Sequence, residues 1–421
     1  MINGMKVLFV NTNDSSGGAA RAAMRIMRGV QQSGVDAQMF VKDKYSKSSD
    51  VIPLSTFAPS SNWLFDIFKW IILKFKNRYH MFKWHPYKRT RQNVFMSDLR
   101  HTDIHGALQK LDYDIVHLHW INNRFLDIRE LAKIHKPIVW TLHDSWPFCG
   151  VCHLPMDCKR YERHCGACPM LGSHNEKDLA YEIFEKKLEV FKDLELHIVT
   201  PSRWLGECAK KSALLGRFPV HVIPNCLDTE VLHVMSEDEI RRPPSTKPMI
   251  LYGANHVITD KNKGFRNLLD ALRVLDSESF NAQLVVFGAE AQELPFYFKN
   301  IDVRFEGYIS DTRALVSLYN EADVMVVPSY SEVFGQTASE AMACATPVVA
   351  FRCTGIQEVV ENGCGYLAEP YSPEDLAVGI RFCIEHNSNN KLGKAARESV
   401  EKRYAVHIVA EQYKQLYESL V

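Results

Sequence analysis

Nothing in this 421-residue chain approaches the roughly 18 consecutive apolar residues that a bilayer-spanning helix needs. Nor is either charge in excess: 50 basic side chains balance 50 acidic ones, which removes any global case for a nucleic-acid partner. Short-period repeats and low-complexity tracts are absent, so repeat arrays are not expected. The opening MINGMKVLFVNTND carries one lysine and a four-residue apolar strand. That is too short for a secretory signal, and a cytosolic location is expected.

What is present is an ordinary globular composition, 46% hydrophobic, in a chain long enough for two cores. Its grammar repeats. KVLFV (6–10), DIVHLHW (114–120), PIVWTLH (137–143), LHIVTPS (196–202) and VHVIPN (220–225) read as strands of a first half. Helix-like FLDIRELAKIH (125–135) and AYEIFEKKLEVF (180–191) lie between them. MILYGA (249–254), QLVVFGA (283–289), VRFEGYI (303–309), DVMVVPS (323–329) and PVVAF (347–351) repeat the pattern, each followed by a helical stretch. Short apolar strands alternating with helices predict parallel sheets covered on both faces. The polar DTEVLHVMSEDEIRRPPSTKP (228–248), with its Pro-Pro pair, suits a linker. The expected class is α/β, with two doubly wound Rossmann-like domains facing across a cleft. Their bounds are read as 1–222 and 223–395, with a C-terminal helix at 396–421 packing back on the first domain. Ligands of such sheets sit at the carboxyl ends of the strands, here in the cleft.

The stretch SYSEVFGQTASEAMACATPVVAF (329–351) carries two glutamates, Glu332 and Glu340, between two apolar strands. Gly335 permits a backbone that a side chain would resist, and the helix starting near Thr337 turns its free amides back toward the ligand. Such a helix end attracts anions, by about 0.3–1 kcal/mol per exposed charge. The loop can hold a diphosphate while the two carboxylates accept hydrogen bonds from hydroxyls on either side. A diphosphate between two polyols is a nucleotide-sugar. The blander reading, a decorated loop and an exposed helix face, is weakened by the spacing and context together.

These residues resemble the Glu-x7-Glu motif of the retaining GT-B glycosyltransferases of family 4. Glu332-Val333-Phe334-Gly335-Gln336 stands where Glu-Gly-Phe-Gly-Leu is usual, and Glu340-Ala341-Met342-Ala343 matches Glu-Ala-Met-Ala. Val333 and Ala345 depart from the pattern, where glycines are common. The resemblance implies that Glu332 meets the donor sugar's hydroxyls and Glu340 the ribose, with Phe334, Gly335, Gln336 and Thr337 lining the donor site. It also implies a first domain that serves the acceptor and a second that binds the nucleotide-sugar. Gly17-Gly18 before a helix carrying Arg21 is similar to the family's Gly-Gly-Ala loop at the reacting centre. His143, ending PIVWTLH, is similar to a histidine the family places near the donor sugar, for positioning rather than attack. His117 and His119 read as structural.

GANHVITDKNKGFRNLLDALRVL (253–275) resembles the segment that supplies two cations to the diphosphate. Lys263-Gly264 is present, but the usual Gly-Arg is replaced by Gly253-Ala254, leaving Lys261 or Arg266 to substitute for the arginine. Asn225 and Asp228 match the family's Pro-Asn-Gly-hydrophobic-Asp except for Cys226, and Gly355 and Glu358 are expected at the same cleft edge. Breaking a sugar–phosphate bond leaves negative charge on the diphosphate, so Lys263 and the helix amides are expected to carry the catalysis electrostatically, with no cofactor. The family is retaining, through front-face attack by the acceptor hydroxyl; double displacement through Glu332 ranks below it. Asp112-Tyr113-Asp114 has the letters of a metal-binding Asp-x-Asp but reads as a solvated strand start.

Cysteine is not scarce. Of 11, five fall in CGVCHLPMDCKRYERHCGACP (149–169), and Cys152, Cys158, Cys165 and Cys168 read as a possible structural zinc site. The reduced, metal-free loop is the alternative. The aromatic and basic WLFDIFKWIILKFKNRYHMFKWHPYKRTR (63–91) suits contact with a membrane surface, or else packing with its lysines extended to water. The expected activity is transfer of a sugar to a glycan or lipid-linked acceptor in bacterial surface polysaccharide assembly. A nucleotide-sugar epimerase or phosphorylase, and a non-catalytic binding protein, are the other readings.

Overall fold

The computed structural model describes residues 4–57, 87, 104–236, 238–240, 247–254, 257–290, 297–361 and 363–421. The chain divides into two compact units, residues 1–223 with 410–421, and residues 224–409. The aromatic-basic segment 63–91, Tyr87 apart, lies outside the described residues.

The first unit is built on strands β1 (Lys6–Asn13), β2 (Asp36–Asp43), β3 (Val51–Pro53), β4 (Ile115–Leu118), β5 (Ile138–Thr141), β6 (Leu196–Thr200) and β7 (Val220–Val222). They form one parallel sheet in the order β3-β2-β1-β4-β5-β6-β7. Its helices are α1 (Gly18–Gln32), α2 (His105–Leu108), α3 (Leu179–Phe191) and α4 (Arg203–Lys211). The helix-like 125–135 becomes a 3-10 stretch over Ile128–Lys133, opened by Asp127, whose carboxylate accepts from the Arg129 amide. β4 and β5 are buried at every position, as expected of strands with both faces covered.

The second unit carries β8 (Met249–Gly253), β9 (Ala282–Phe287), β10 (Ile301–Gly307), β11 (Val324–Val327), β12 (Val348–Phe351) and β13 (Gly365–Ala368). The order is β10-β9-β8-β11-β12-β13, again parallel. Alternate residues feed two cores: Leu251, Val285, Met325 and Val348 enter one, Tyr252, Val286, Val326 and Val349 the other. The edge strand β10 is buried at Ile301 and then alternates exposed and half-buried positions, consistent with one open side. Helices α5 (Phe265–Ser277), α6 (Thr312–Glu321), α7 (Gln336–Ala343), α8 (Ile356–Val359), α9 (Pro373–Glu385) and α10 (Lys391–Arg403) surround the sheet, and α11 (Val406–Glu418) follows.

The division differs from the sequence reading at the C-terminus. Residues 396–409 belong to the second unit, and the return to the first starts at Ala410. The reason is packing: Ala396 and Val400 join the second core, and Arg397 donates to the carbonyls of Leu232, Ala343 and Thr229. Among the described residues no helix is long and apolar enough to cross a membrane.

Candidate active site

Strand β11 ends at Val327 and delivers the chain to Ser331 and Glu332. Strand β8 ends at Gly253, and after a loop a 3-10 turn presents Lys261, Asn262 and Lys263. Asn262 joins these two loops. Its side-chain Nδ2 donates to the Ser331 carbonyl at 2.9 Å and its Oδ1 accepts from the Ser331 backbone amide at 3.0 Å. Its own carbonyl accepts from the Tyr330 amide. So anchored, Lys263 Nζ meets Glu332 Oε1 at 2.7 Å, with side chains 22% and 18% exposed. Burial opposes the Lys263 charge, but Glu332's charge and hydrogen bond outweigh it and hold the ammonium above its ordinary pKa.

Gly264 follows in the left-handed region (φ +69), and a Cβ there would lie 1.9 Å from the Pro328 carbonyl oxygen. Glycine is required by space and by torsion. Glu332 is bracketed from the other side, its amide donating to Thr354 Oγ1 at 3.0 Å and its carbonyl accepting from the Gly355 amide at 2.9 Å. Gly335 (φ +96) caps α7, and Gln336 and Thr337 stand half-buried on its first turn.

Other expected donor residues are placed differently. Phe334 is a core residue, edge-on to Tyr404 at 5.1 Å, so only its backbone could face a ligand. Glu340 is 3% exposed and accepts from the Tyr319 hydroxyl at 3.2 Å. Gly253 is a glycine because the Phe287 ring would lie 2.4 Å from any Cβ, a packing reason. Asn225 is buried, its Oδ1 without a hydrogen-bond partner among the described residues. Asp228 accepts from the amides of Glu230 and Val231. The Glu358 carbonyl accepts from Arg403. Of the two substitute cations, Lys261 is exposed, whereas Arg266 pairs with Asp270 at 3.1 Å.

In the first unit, Gly17 (φ +89) caps α1 and a Cβ there would meet nothing within 4 Å, so the loop is open above it. Gly18 begins the helix, and the exposed Arg21 donates its amide to the Gly17 carbonyl. The preceding Asp14 is buried, which pushes its carboxyl up, but the Ser46 hydroxyl and the amides of Tyr45 and Ser46 hydrogen-bond to it and hold it below its usual range. His143, two residues past β5, is half-buried, and its Nε2 lies 2.9 Å from His119 Nδ1. Burial depresses His143 to about 4. Asp144 fixes the turn beyond, accepting from Trp120 Nε1 at 3.0 Å and the Trp146 amide at 2.9 Å. Asp112 and Asp114 are both engaged by Lys6, through its side chain and its amide.

The cysteine loop closes on a pocket lined by Cys149, Cys152, Cys158, Cys165 and Cys168. Cys149 and Cys152 share a hydrogen bond, and the Gly150 amide donates to Cys165 Sγ at 3.2 Å. Among the described residues no group of three or more His, Cys, Asp or Glu stands in metal-binding geometry. Beneath the loop, Lys187 is wholly buried. Its ammonium donates to the Trp146 and Cys149 carbonyls at 2.5 and 2.6 Å and lies 3.4 Å from the Trp146 ring centre. Asn262, Thr354 and Lys187 carried no signal in the sequence, because each serves backbone atoms far away along the chain.

The sequence matches the family model described as Glycosyltransferase Family 4 over residues 16–231, and that described as Glycosyl transferases group 1 over 236–399. WcaC of Escherichia coli K12, whose name assigns it provisionally to glycosyl transfer in colanic acid biosynthesis, is 24% identical over 322 residues, 74% of this chain and 76% of its own. The lipopolysaccharide 1,2-N-acetylglucosaminetransferase of Salmonella typhimurium LT2 is 26% identical over 317 residues, 70% and 76% of the two chains. Sucrose-phosphate synthase from Thermosynechococcus elongatus superposes with a TM-score of 0.66 over 99% of both chains at 19% identity. Anabaena HepE, solved with UDP-glucose, gives 0.60 at 16% identity over 99% of this chain and 100% of its own. At such identities these structures speak for the fold, which is GT-B.

Proposed function

Because the chain belongs to the group 1, family 4 glycosyltransferases, we propose that it moves a sugar, with retention, from a nucleoside-diphosphate sugar to a glycan or lipid-linked oligosaccharide. The setting proposed is bacterial surface polysaccharide assembly, in keeping with the names of its relatives. The observation that carries the reading is the Lys263–Glu332 pair, held by Asn262 beside the amino end of α7. A cation, free helix amides and a carboxylate in one place suit a diphosphate joined to a sugar.

In this reading Lys263 and the first-turn amides at Gln336 and Thr337 stabilise the departing diphosphate, with Lys261 as the second cation. Glu332 takes the sugar's hydroxyls once the phosphate draws Lys263 away. Removing one such stabilising group costs roughly 3–4 kcal/mol of barrier, or about a hundredfold to a thousandfold in rate. His143 and the Gly17–Gly18 loop serve the sugar and acceptor. The family and the named relatives are transferases, so the epimerase or phosphorylase alternative is not favoured.

A thermal-shift screen of nucleotide-sugars, followed by product analysis, tests the proposal. One donor should stabilise the protein and yield transferred sugar plus nucleoside diphosphate, and Glu332→Gln should abolish most transfer while still folding. Unchanged turnover in that variant would end the assignment. Zinc at the cysteine loop is a separate proposal, read by metal analysis: about one ion per chain supports it, and none leaves a reduced loop. Membrane contact through 63–91 would appear as flotation with anionic liposomes that deletion of the segment removes.

A further inference from the structure

His117 and His119, both buried, and the half-buried His143 form one cluster with Thr141 and two tyrosines in the first unit. His117 is satisfied at both ring nitrogens, Nδ1 lying 2.6 Å from the Tyr417 hydroxyl and Nε2 2.7 Å from Thr141 Oγ1. His119 is not. Its Nδ1 lies 2.9 Å from His143 Nε2, while its Nε2 is buried with no hydrogen-bond partner among the described residues. The ring is 2% exposed and fixed by stacking, with Phe9 on one side at 5.3 Å and 13° and His143 at 5.2 Å and 23°.

A neutral imidazole carries one proton and must place it on one nitrogen. A proton on His119 Nε2 would leave a buried N–H orphaned, the rarer and costlier omission; a proton on Nδ1 leaves only an unused lone pair. We infer that His119 is a positioning residue that donates its Nδ1 proton to His143 Nε2, holding His143 as the Nδ1–H tautomer so that it meets a ligand as a hydrogen-bond donor, not as a base. Both rings are neutral near pH 7: burial, aided by its histidine neighbours, keeps His119 well below its ordinary value, and burial alone lowers His143. With its Nε2 lone pair occupied, His143 has no site to accept the acceptor hydroxyl's proton. That leaves a phosphate oxygen of the departing group to take it. The inference rests on the glycosyl-transfer reading only for what His143 meets; the tautomer rests on the geometry of the first unit alone.

The test is ligand-free. Full-length protein labelled with nitrogen-15 at histidine is studied by long-range proton–nitrogen correlation near neutral pH, with His143→Gln assigning the His143 signals. His143 Nδ1 should resonate as a protonated nitrogen and Nε2 as an unprotonated one; the reverse pattern, or an average of the two, overturns the inference. His119→Asn supplies an amide N–H in the place of Nδ1–H and should preserve the pattern. His119→Phe keeps the stacking and removes the donor, so the His143 tautomers should average. A pattern unmoved by His119→Phe removes His119 from the role, and if that variant does not fold, the wild-type tautomer and His119→Asn still decide. With a donor identified, His119→Phe should lower kcat by about tenfold with little change in donor KM, and His119→Asn should recover it. Failure of the glycosyl-transfer reading would leave the spectra as they are, so the two failures are distinguishable.

Discussion

Lys263 and Glu332 neutralise each other in a setting that leaves each about a fifth exposed. Glu332→Gln would leave the ammonium without its carboxylate, a loss of about 1.5–3 kcal/mol for a charge-assisted hydrogen bond. A ligand phosphate would then restore the missing negative charge. The variant should therefore melt lower than wild type, yet gain more Tm from the nucleoside diphosphate that stabilises the wild type most. An equal or smaller gain, measured by differential scanning fluorimetry, takes Lys263 away from the phosphate. Lys263 and Glu332 were singled out in the sequence because each lies in a segment that resembles the family's, Lys263 in the Lys263-Gly264 pair and Glu332 in the spacing to Glu340. Asn262 was not, since its partner Ser331 lies 69 residues away. Glu340 was legible as a letter but not in its setting: the Tyr319 hydroxyl that holds it belongs to another helix.

Between elements, tolerance is tight where α5 begins. Gly264 presses on the Pro328 carbonyl, the point from which the strand β11 chain turns toward Glu332. Gly264→Ala adds a methyl group at 1.9 Å from that oxygen in a left-handed conformation. The torsion alone costs about 1–2 kcal/mol, and the contact forces the two loops apart. The variant should lose several degrees of Tm and most transfer together, whereas in Tm the same change at Gly17, where a Cβ meets nothing, should lose only the torsional part. Equal losses at both would mean the contact is slack. Most buried strands were legible from their continuous apolar runs. β2, with charges at both ends, and the half-exposed β13 were not, because their burial comes from neighbours rather than their own composition. The 125–135 pattern promised a helix, but Asp127 opens a tighter 3-10 turn there instead.

At the scale of the molecule, the two units should respond differently to acid. Burial keeps His117, His119 and His143 uncharged in the first unit, the last down to about 4. Unfolded imidazoles take up protons near pH 6.5, so the unfolded chain binds more protons as pH falls below that value, and stability drops. Each such group contributes a slope of up to about 1.4 kcal/mol per pH unit until its folded value is passed. Asp14 adds to this near pH 4 and below, since its depressed carboxyl stabilises only while ionised. Trp120, Trp140, Trp146 and Trp204 lie in the first unit and residues 224–409 contain no tryptophan, so fluorescence reports the first unit selectively. The tryptophan-detected Tm should fall between pH 6.5 and about 4, ahead of a second transition seen by circular dichroism. Coincident transitions, or a second unit that melts first, would contradict this.

The first unit is completed by residues from 410 onward, and Tyr413 and Tyr417 bond directly to Thr141 and His117 inside it. A ribosome must therefore synthesise the whole of 224–409 before the earlier-made sheet receives its last hydroxyls. At about 5–20 residues per second that interval runs to some tens of seconds, during which the half-built sheet stands open to chaperones and proteases. Nascent chains stalled short of residue 410 should be protease-sensitive in their first 223 residues, and resistance there would show that the tyrosines arrive at a structure already closed.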